Sequence, residues 1–277
     1  VIASNQFTQS EPEIIHVTKE KEGGSTDEDD AYKPNLYILS IGISDYKNPD
    51  YRLDVAHKDA ETIIKVFNKQ KGILFKDVKS RLLTNRDATR GEILDGLDWI
   101  LKESTQRDMT IIFVAGHGIQ DERKNYYFLP YDGETANLRS TGVKWFDFQE
   151  TVTGLPSKVI LMVDTCHSAG VTGKRRGVTD MTNVLRDLVG TESGVVIMTA
   201  STGKEESQER PEWGHGAFTK ALIDGLDGNA DFNKDRVIDI KELDLYVTNR
   251  VKDLTGGAQH PTTEIPKTMP NFPLVFQ

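Results

Sequence analysis

From residue 35 onward, apolar runs of strand length alternate with segments whose apolar positions recur at helical period. The pattern predicts strands over Leu36–Ile43, Val78–Leu83, Thr110–Ala115, Tyr126–Leu129, Lys158–Asp164 and Gly194–Ala200. Between and after them it predicts helices over Ala56–Lys69, Arg90–Lys102, Trp145–Val152, Thr179–Leu188 and Gly216–Leu226. Strands joined through helices of ten or more residues require right-handed crossovers, hence an α/β domain built on a mostly parallel sheet buried on both faces. No internal repeat interrupts this alternation.

Before residue 35 the pattern fails. Residues 1–34 hold eight acidic side chains against Lys19, Lys21 and Lys33, and few large apolar ones. That composition predicts an acidic linker or pro-segment at 1–34, with Ile14–Val17 as a short docking strand, ahead of a domain at 35–277. The first residue is Val1, as expected of a fragment or processed product.

Composition then removes whole classes of function. Hydrophobic residues make up 37% and charged ones 28% of the 277, a mix that supports a real core. No apolar run approaches the ~20 residues that cross a bilayer, so no membrane partner is expected and a cytoplasmic location is. The net charge of −9 argues against nucleic acid as a partner. The single cysteine, Cys166, excludes an internal disulfide and a cysteine-rich zinc site.

In open parallel sheets, functional groups gather beyond the carboxyl ends of the strands. The residues falling there are Asp45, Gly116-His117-Gly118, Asp164-Thr165-Cys166-His167-Ser168 and Ser201-Thr202-Gly203. A histidine and the only cysteine thus land together, 49 residues apart, about the length of one crossover. A thiol is a weak nucleophile at its ordinary pKa of about 8.5, and an adjacent imidazole raises its thiolate fraction and returns a proton to the leaving group. Glycines on both sides of His117 suit a sharp turn and the close approach of a substrate. The plainer alternative, a buried filler thiol and a strand-end histidine, explains neither the shared placement nor the glycines. His167 is expected to face away, and His16, His57, His215 and His260 to be ordinary surface or helix residues.

Phe113-Val114-Ala115-Gly116-His117-Gly118 and Asp164-Thr165-Cys166-His167-Ser168-Ala169-Gly170 resemble the two catalytic motifs of the caspase-like cysteine peptidases, on the bacterial metacaspase and orthocaspase side. The likeness spans residues 35–277 and includes Tyr127-Phe128-Leu129-Pro130 and Gly216-Ala217-Phe218-Thr219. It implies a caspase fold, a six-stranded mostly parallel sheet between helices, and a cysteine endopeptidase with His117 as general acid/base and Cys166 as nucleophile. The backbone N–H groups of Gly118 and Cys166 would form the oxyanion hole. No carboxylate is evident to orient His117, which leaves a backbone carbonyl for that role. The Gln-Ala-Cys-Arg-Gly signature of animal caspases is absent, so cleavage after Asp is not implied.

The same resemblance assigns Asp164 and Asp59 to a pocket that binds a basic P1 side chain, Arg or Lys. Glu205 and Glu206, in a loop, are weaker candidates. A basic specificity makes Lys174, Arg175 and Arg176 an internal substrate in a polar, glycine-bearing stretch, with a large and a small piece separated near 171–180. The expected partners are a protein substrate with a basic P1 residue and a fused or associated sensor or repeat domain of a signalling or defence protein. The rival reading is a catalytically silent caspase-fold scaffold.

No cofactor is required for the chemistry. A calcium site is nevertheless spelled by Asp231, Asn233, Asp235, Val237, Asp239 and Glu242, which occupy positions 1, 3, 5, 7, 9 and 12 of an EF-hand loop. Its departure is Arg236, at the position where a sharp turn favours glycine. The calcium-binding aspartates of metacaspases find no clear match here.

Overall fold

The computed structural model describes residues 32–167, 194–202, 205 and 207–277, without the side chains of Cys166 and His167. The segment 1–31, with the Ile14–Val17 strand, lies outside the described residues. So do the helix over Thr179–Leu188, the candidate cleavage residues Lys174, Arg175 and Arg176, and Glu206.

The elements in chain order are β1 (Leu36–Gly42), α1 (Ala56–Asn68), β2 (Val78–Thr84), α2 (Arg90–Glu103), β3 (Met109–Gln120) and β4 (Tyr126–Phe128). They continue with α3 (Leu138–Thr141), β5 (Val143–Lys144), α4 (Trp145–Gly154), β6 (Lys158–His167) and β7 (Val195–Thr199). The remainder comprises β8 (Glu209–Arg210), β9 (His215–Gly216), α5 (Ala217–Asp224), β10 (Val237–Asp239), α6 (Ile240–Thr255), β11 (Thr262–Glu264) and β12 (Pro273–Phe276).

Six strands form the main path of the sheet in the order β11-β7-β6-β3-β1-β2. All neighbours on it are parallel except β11, which runs against β7. The short β4, predicted at Tyr126–Leu129, and β5, which was not predicted, extend the sheet beyond β3 off this path.

Period-two alternation divides the core. Leu36, Ile38, Ile111, Phe113, Ile160, Met162, Val196 and Met198 face one side, where they pack with Ile63 and Phe67 of α1, Phe218 and Leu222 of α5, and Leu243 and Val247 of α6. Leu39, Ile41, Ile112, Val114, Leu161 and Ile197 face the other, against Ile93, Leu97 and Ile100 of α2 and Phe148 and Val152 of α4. Fully apolar strands are therefore what a sheet covered on both faces demands.

Two strands outrun the prediction. The glycines around His117 were expected to end the third strand, and Asp164 the fourth, yet β3 continues to Gln120 and β6 to His167. The backbone at His117 is extended, because the added length is still paired: β3 and β6 match from Met109↔Lys158 to Gly118↔His167 without a break. Tertiary pairing overrides the local preference of glycine for turns.

β1 and α1 meet closely at Gly42. A Cβ there would lie 2.2 Å from the Ala56 carbonyl oxygen and 2.7 Å from the Ala60 Cβ. Gly42→Ala is expected to destabilise the domain by about 1–3 kcal/mol through overpacking, read as a lower urea midpoint with unchanged m-value.

Candidate active site

His117 enters from β3 and is almost wholly buried, 5% exposed. Its ring Nε2 lies 2.8 Å from the Tyr51 carbonyl oxygen. A carbonyl only accepts, so Nε2 carries the proton and donates, leaving Nδ1 as the basic nitrogen of the neutral ring. A backbone carbonyl therefore orients the imidazole, as the lack of a candidate carboxylate suggested. Tyr46 reinforces the placement twice: its hydroxyl accepts the His117 backbone N–H at 2.9 Å, and its ring lies over the imidazole with centroids 5.1 Å apart. Burial drives the His117 pKa down to about 4, only partly opposed by the Tyr51 carbonyl, so the imidazole is neutral at physiological pH.

The flanking glycines serve packing rather than a turn. A Cβ on Gly116, whose φ is +152°, would meet the Tyr46 hydroxyl at 2.7 Å, and one on Gly118 would overlap the Tyr126 hydroxyl at 1.5 Å. Two tyrosines thus lie flat on the backbone on either side of the histidine. On the neighbouring strand Cys166 is the register partner of His117, and the two strands stand about 4.8 Å apart by sheet geometry. Gly118, the other oxyanion-hole candidate, follows at once, opposite Phe128 of β4.

A second group of side chains gathers at the same end of the sheet. Asp59 of α1 is 1% and Asp164 of β6 7% exposed. Both converge on Gly216 of β9, where a methyl group would lie 3.0 Å from Asp164 Oδ2 and 3.3 Å from Asp59 Oδ2. Asp59 Oδ1 meets His215 Nδ1 at 2.6 Å, and its Oδ2 accepts the Gly216 N–H at 3.2 Å. Asp164 Oδ2 accepts the Thr219 hydroxyl at 3.2 Å. Burial first, and then the Asp59 charge, push the Asp164 pKa up to about 7, against the pull of hydrogen bonds from Ser207 and Thr219. Asp59 is raised by burial despite His215.

The third carboxylate here is Glu209 rather than Glu205. Glu209 Oε2 accepts the Asp54 N–H at 3.1 Å, and its charge acts on Asp164 while burial raises its own pKa. Glu205 spends both oxygens on His260, one on the backbone N–H at 2.7 Å and one on Nδ1 at 2.8 Å. His215, expected to be an ordinary residue, is the side chain that engages Asp59 in this cluster. The sequence held only one signal for Glu209 and His215: polar residues flanking the four-residue stretch Pro211–Gly214, the composition of a short hairpin.

The cation-loop residues arrange differently. Asp231 accepts the N–H groups of Asp235 and Arg236 at 3.2 and 3.0 Å, Asn233 that of Asp235 at 2.8 Å, and Asp235 that of Val237 at 2.8 Å. Arg236 adopts φ +66°, the left-handed turn its position demands. Asp239 caps α6, and Glu242 Oε2 accepts the Asp239 N–H at 3.3 Å while its Oε1 is buried without a partner. Among the described residues no three His, Cys, Asp or Glu side chains converge as metal ligands.

The family model described as Caspase domain matches residues 37–272, from the first strand to the approach of the last. The chain belongs to the caspase-domain family. Its fold is that of a caspase-like cysteine peptidase, a hydrolase class. Among solved structures, protein GSU0716 from Geobacter sulfurreducens superposes with a TM-score of 0.62 at 15% identity, over 86% of this chain and 95% of that one, which supports the shared fold. No curated protein matches the sequence. Among the described residues no helix is long and apolar enough to cross a membrane.

The caspase-domain carboxylate cluster has a stability consequence. An acid whose folded pKa is raised binds a proton in the native state between its ordinary value, 3.8, and about 7, so Asp164 lowers stability as pH rises through that window. His117, with its lowered pKa, pulls the other way below its ordinary 6.5. The diagnostic is therefore a difference: Asp164→Asn is expected to melt about 2–8 °C above wild type at pH 8, with the gap closing toward pH 5.

Proposed function

We propose that this caspase-domain chain is a cysteine endopeptidase that cleaves after Arg or Lys. The reading rests on one observation: a buried, carbonyl-oriented His117 and the register partner Cys166 share an end of the sheet with the buried Asp59 and Asp164 and the partly buried Glu209. In the proposed reaction the neutral His117 Nδ1 takes the Cys166 thiol proton as the sulfur attacks the scissile carbonyl. The C–N bond then breaks, the imidazolium protonates the leaving amine, and water attacks the thioester with His117 again as base. The N–H groups of Gly118 and Cys166 are proposed to hold the oxyanion.

A low His117 pKa favours a resting thiol–imidazole pair over a preformed ion pair, so the proton moves only when substrate arrives. The carboxylates supply specificity. Two or three buried acids without enough cations are costly, and a substrate guanidinium or ammonium relieves them. Self-cleavage at Lys174, Arg175 or Arg176 belongs to the same proposal.

Peptides differing only at P1 test the reading. Arg and Lys peptides are expected to be cut and an Asp peptide spared. Cys166→Ala and His117→Ala should lose about 10³-fold or more, and Asp164→Ala about 10²–10³-fold in kcat/KM toward Arg, the range for removing one partner of a buried ion pair. As Asp164 ionises, kcat/KM for Arg should climb through about pH 7, whereas Cys166 alkylation by iodoacetamide should show no step assignable to Asp164. New N-termini after residues 174–176 should form in wild type and not in Cys166→Ala. Cleavage indifferent to P1 would remove the pocket assignment, and no cleavage of any peptide would favour the silent scaffold.

Calcium at 231–242 is a separate proposal, supported by the unpartnered Glu242 Oε1 and the left-handed Arg236. Millimolar calcium should raise Tm in wild type and not in Glu242→Gln; an unchanged wild-type Tm removes it.

A further inference from the structure

A cavity of about 450 Å³ opens between the turn joining β3 to β4 and the first turn of α4, built from residues that the proposed peptidase reaction leaves unused. Four cationic side chains line it: Arg123, Lys124, Arg139 and Lys144. None forms an ion pair within 4 Å among the described residues. Of the carboxylates near them in sequence, Glu122 stands next to Arg123 and has a partner of its own, and Asp121 and Asp147 accept backbone N–H groups. Asp121 accepts the N–H groups of Arg123 and Asn125 at 2.9 and 2.8 Å, and Asp147 accepts the Lys144 N–H at 3.1 Å. In a chain of net charge −9, four cations around one hollow, none in an ion pair within 4 Å among the described residues, create a local field that attracts an anion.

The rest of the lining is aromatic. Phe146 is 61% exposed at the cavity, an orientation that wastes apolar surface unless a planar group covers it. Trp145 forms part of the wall and is only 3% exposed, yet its indole N–H is buried without an acceptor. Phosphate for the guanidinium and ammonium groups, and a heteroaromatic ring for the exposed face of Phe146, are the two halves of one ligand class. The volume lies in the range of small-ligand sites.

The cavity also touches the reacting strands. Tyr126 lines it, and its hydroxyl lies 3.1 Å from Thr165 Oγ1, on the residue preceding Cys166. The same hydroxyl fills the space over Gly118, the residue following His117. The Tyr126 and Trp145 rings meet edge to face, with centroids 6.0 Å apart at 85°. A group that shifts Trp145 or Tyr126 therefore presses on both strands at the point where His117 and Cys166 pair.

We propose that this cavity is a nucleotide-binding site coupled to the reactive centre through Tyr126. Binding needs no assumption about proteolysis and is measured directly. Titration calorimetry of the full chain uses ATP, AMP, adenosine and tripolyphosphate as probes. ATP or AMP should bind, with adenosine and tripolyphosphate each at least about tenfold weaker, a difference of about 1.4 kcal/mol. The surface double variant Arg139→Ala/Lys144→Ala should weaken nucleotide binding about tenfold or more at unchanged Tm. Phe146→Ala should weaken nucleotides and leave tripolyphosphate unaffected.

Tripolyphosphate binding as tightly as ATP would reduce the site to a simple anion patch and overturn the nucleotide assignment. No binding of any probe at 1 mM, about 4 kcal/mol of affinity, would overturn the site itself. Because Cys166 is the only cysteine, its alkylation rate reports the coupling without any peptide substrate. Saturating nucleotide should change that rate severalfold in wild type and leave it unchanged in Tyr126→Phe. A wild-type rate indifferent to bound nucleotide would remove the coupling while leaving the binding site standing.

Discussion

The structure depends on the register between β3 and β6. Ten consecutive residue pairs join the two strands, and a slip of one would carry every core side chain on them to the wrong face. Their neighbours stop early: β1 ends at Gly42 opposite Ala115, and β7 at Thr199 opposite Val163. Two strands therefore project beyond the sheet together, and the residues at their tips are brought side by side by backbone hydrogen bonding rather than by loops. The edge of β3 vacated by β1 is taken by β4, which pairs from Gly118 to Gln120 and closes what would be an open strand edge. The same closure delivers Tyr126 to Thr165 and Gly118, so support of the site and shielding of the edge are one act.

Burial then moves two kinds of group in opposite directions. The His117 imidazole is held neutral because its charged form loses water, and the acids Asp164, Asp59 and Glu209 are pushed toward protonation for the same reason. In the proposed reaction, a neutral base on the strand paired with Cys166 is ready to accept a proton, and a carboxylate reluctant to ionise is ready to accept a cation. The fold bears the instability of both, the acids where α1, β6 and the β8–β9 hairpin meet and His117 against Tyr46 and Tyr51.

How much of this could be read from the sequence depended on length and period. Several longer elements with a clear period, such as Leu36–Gly42 and Ala56–Asn68, were legible to within a residue or two, whereas α6 was given no range although its apolar positions recur at helical period. The pairing of His117 with Cys166 was legible as well, because strand ends in a parallel sheet fall on one side. The extent of β3 and β6 was not: glycines at 116 and 118 look like a break, and only the hydroxyls of Tyr46 and Tyr126, distant in the chain, explain why no side chain fits there. Two-residue strands such as Glu209–Arg210 and His215–Gly216 have no period to detect, so Glu209 and His215 went unassigned. Glu205 looked equivalent to Glu209 in a loop of acids; His260, arriving from beyond α6, separates them.

The hydrogen bonds also divide the work among the carboxylates. Asp59 has both oxygens engaged, one by His215 and one by the Gly216 N–H, and both partners come from the same hairpin strand. Its role follows from that engagement: it ties β9 to α1 and keeps negative charge close to Asp164. Glu209 likewise reaches back to the Asp54 N–H, so the hairpin is fastened to the start of α1 from both of its strands. Asp164 differs, because its support comes from hydroxyl groups, which can rotate away when a stronger donor arrives. A guanidinium entering the cluster would therefore meet Asp164 as its principal partner, with Asp59 and Glu209 raising the attraction from fixed positions. Under the proposed basic specificity, that arrangement would select charge first and shape second, and would favour the planar fork of arginine over the point charge of lysine to the extent that both Asp164 oxygens can turn toward it.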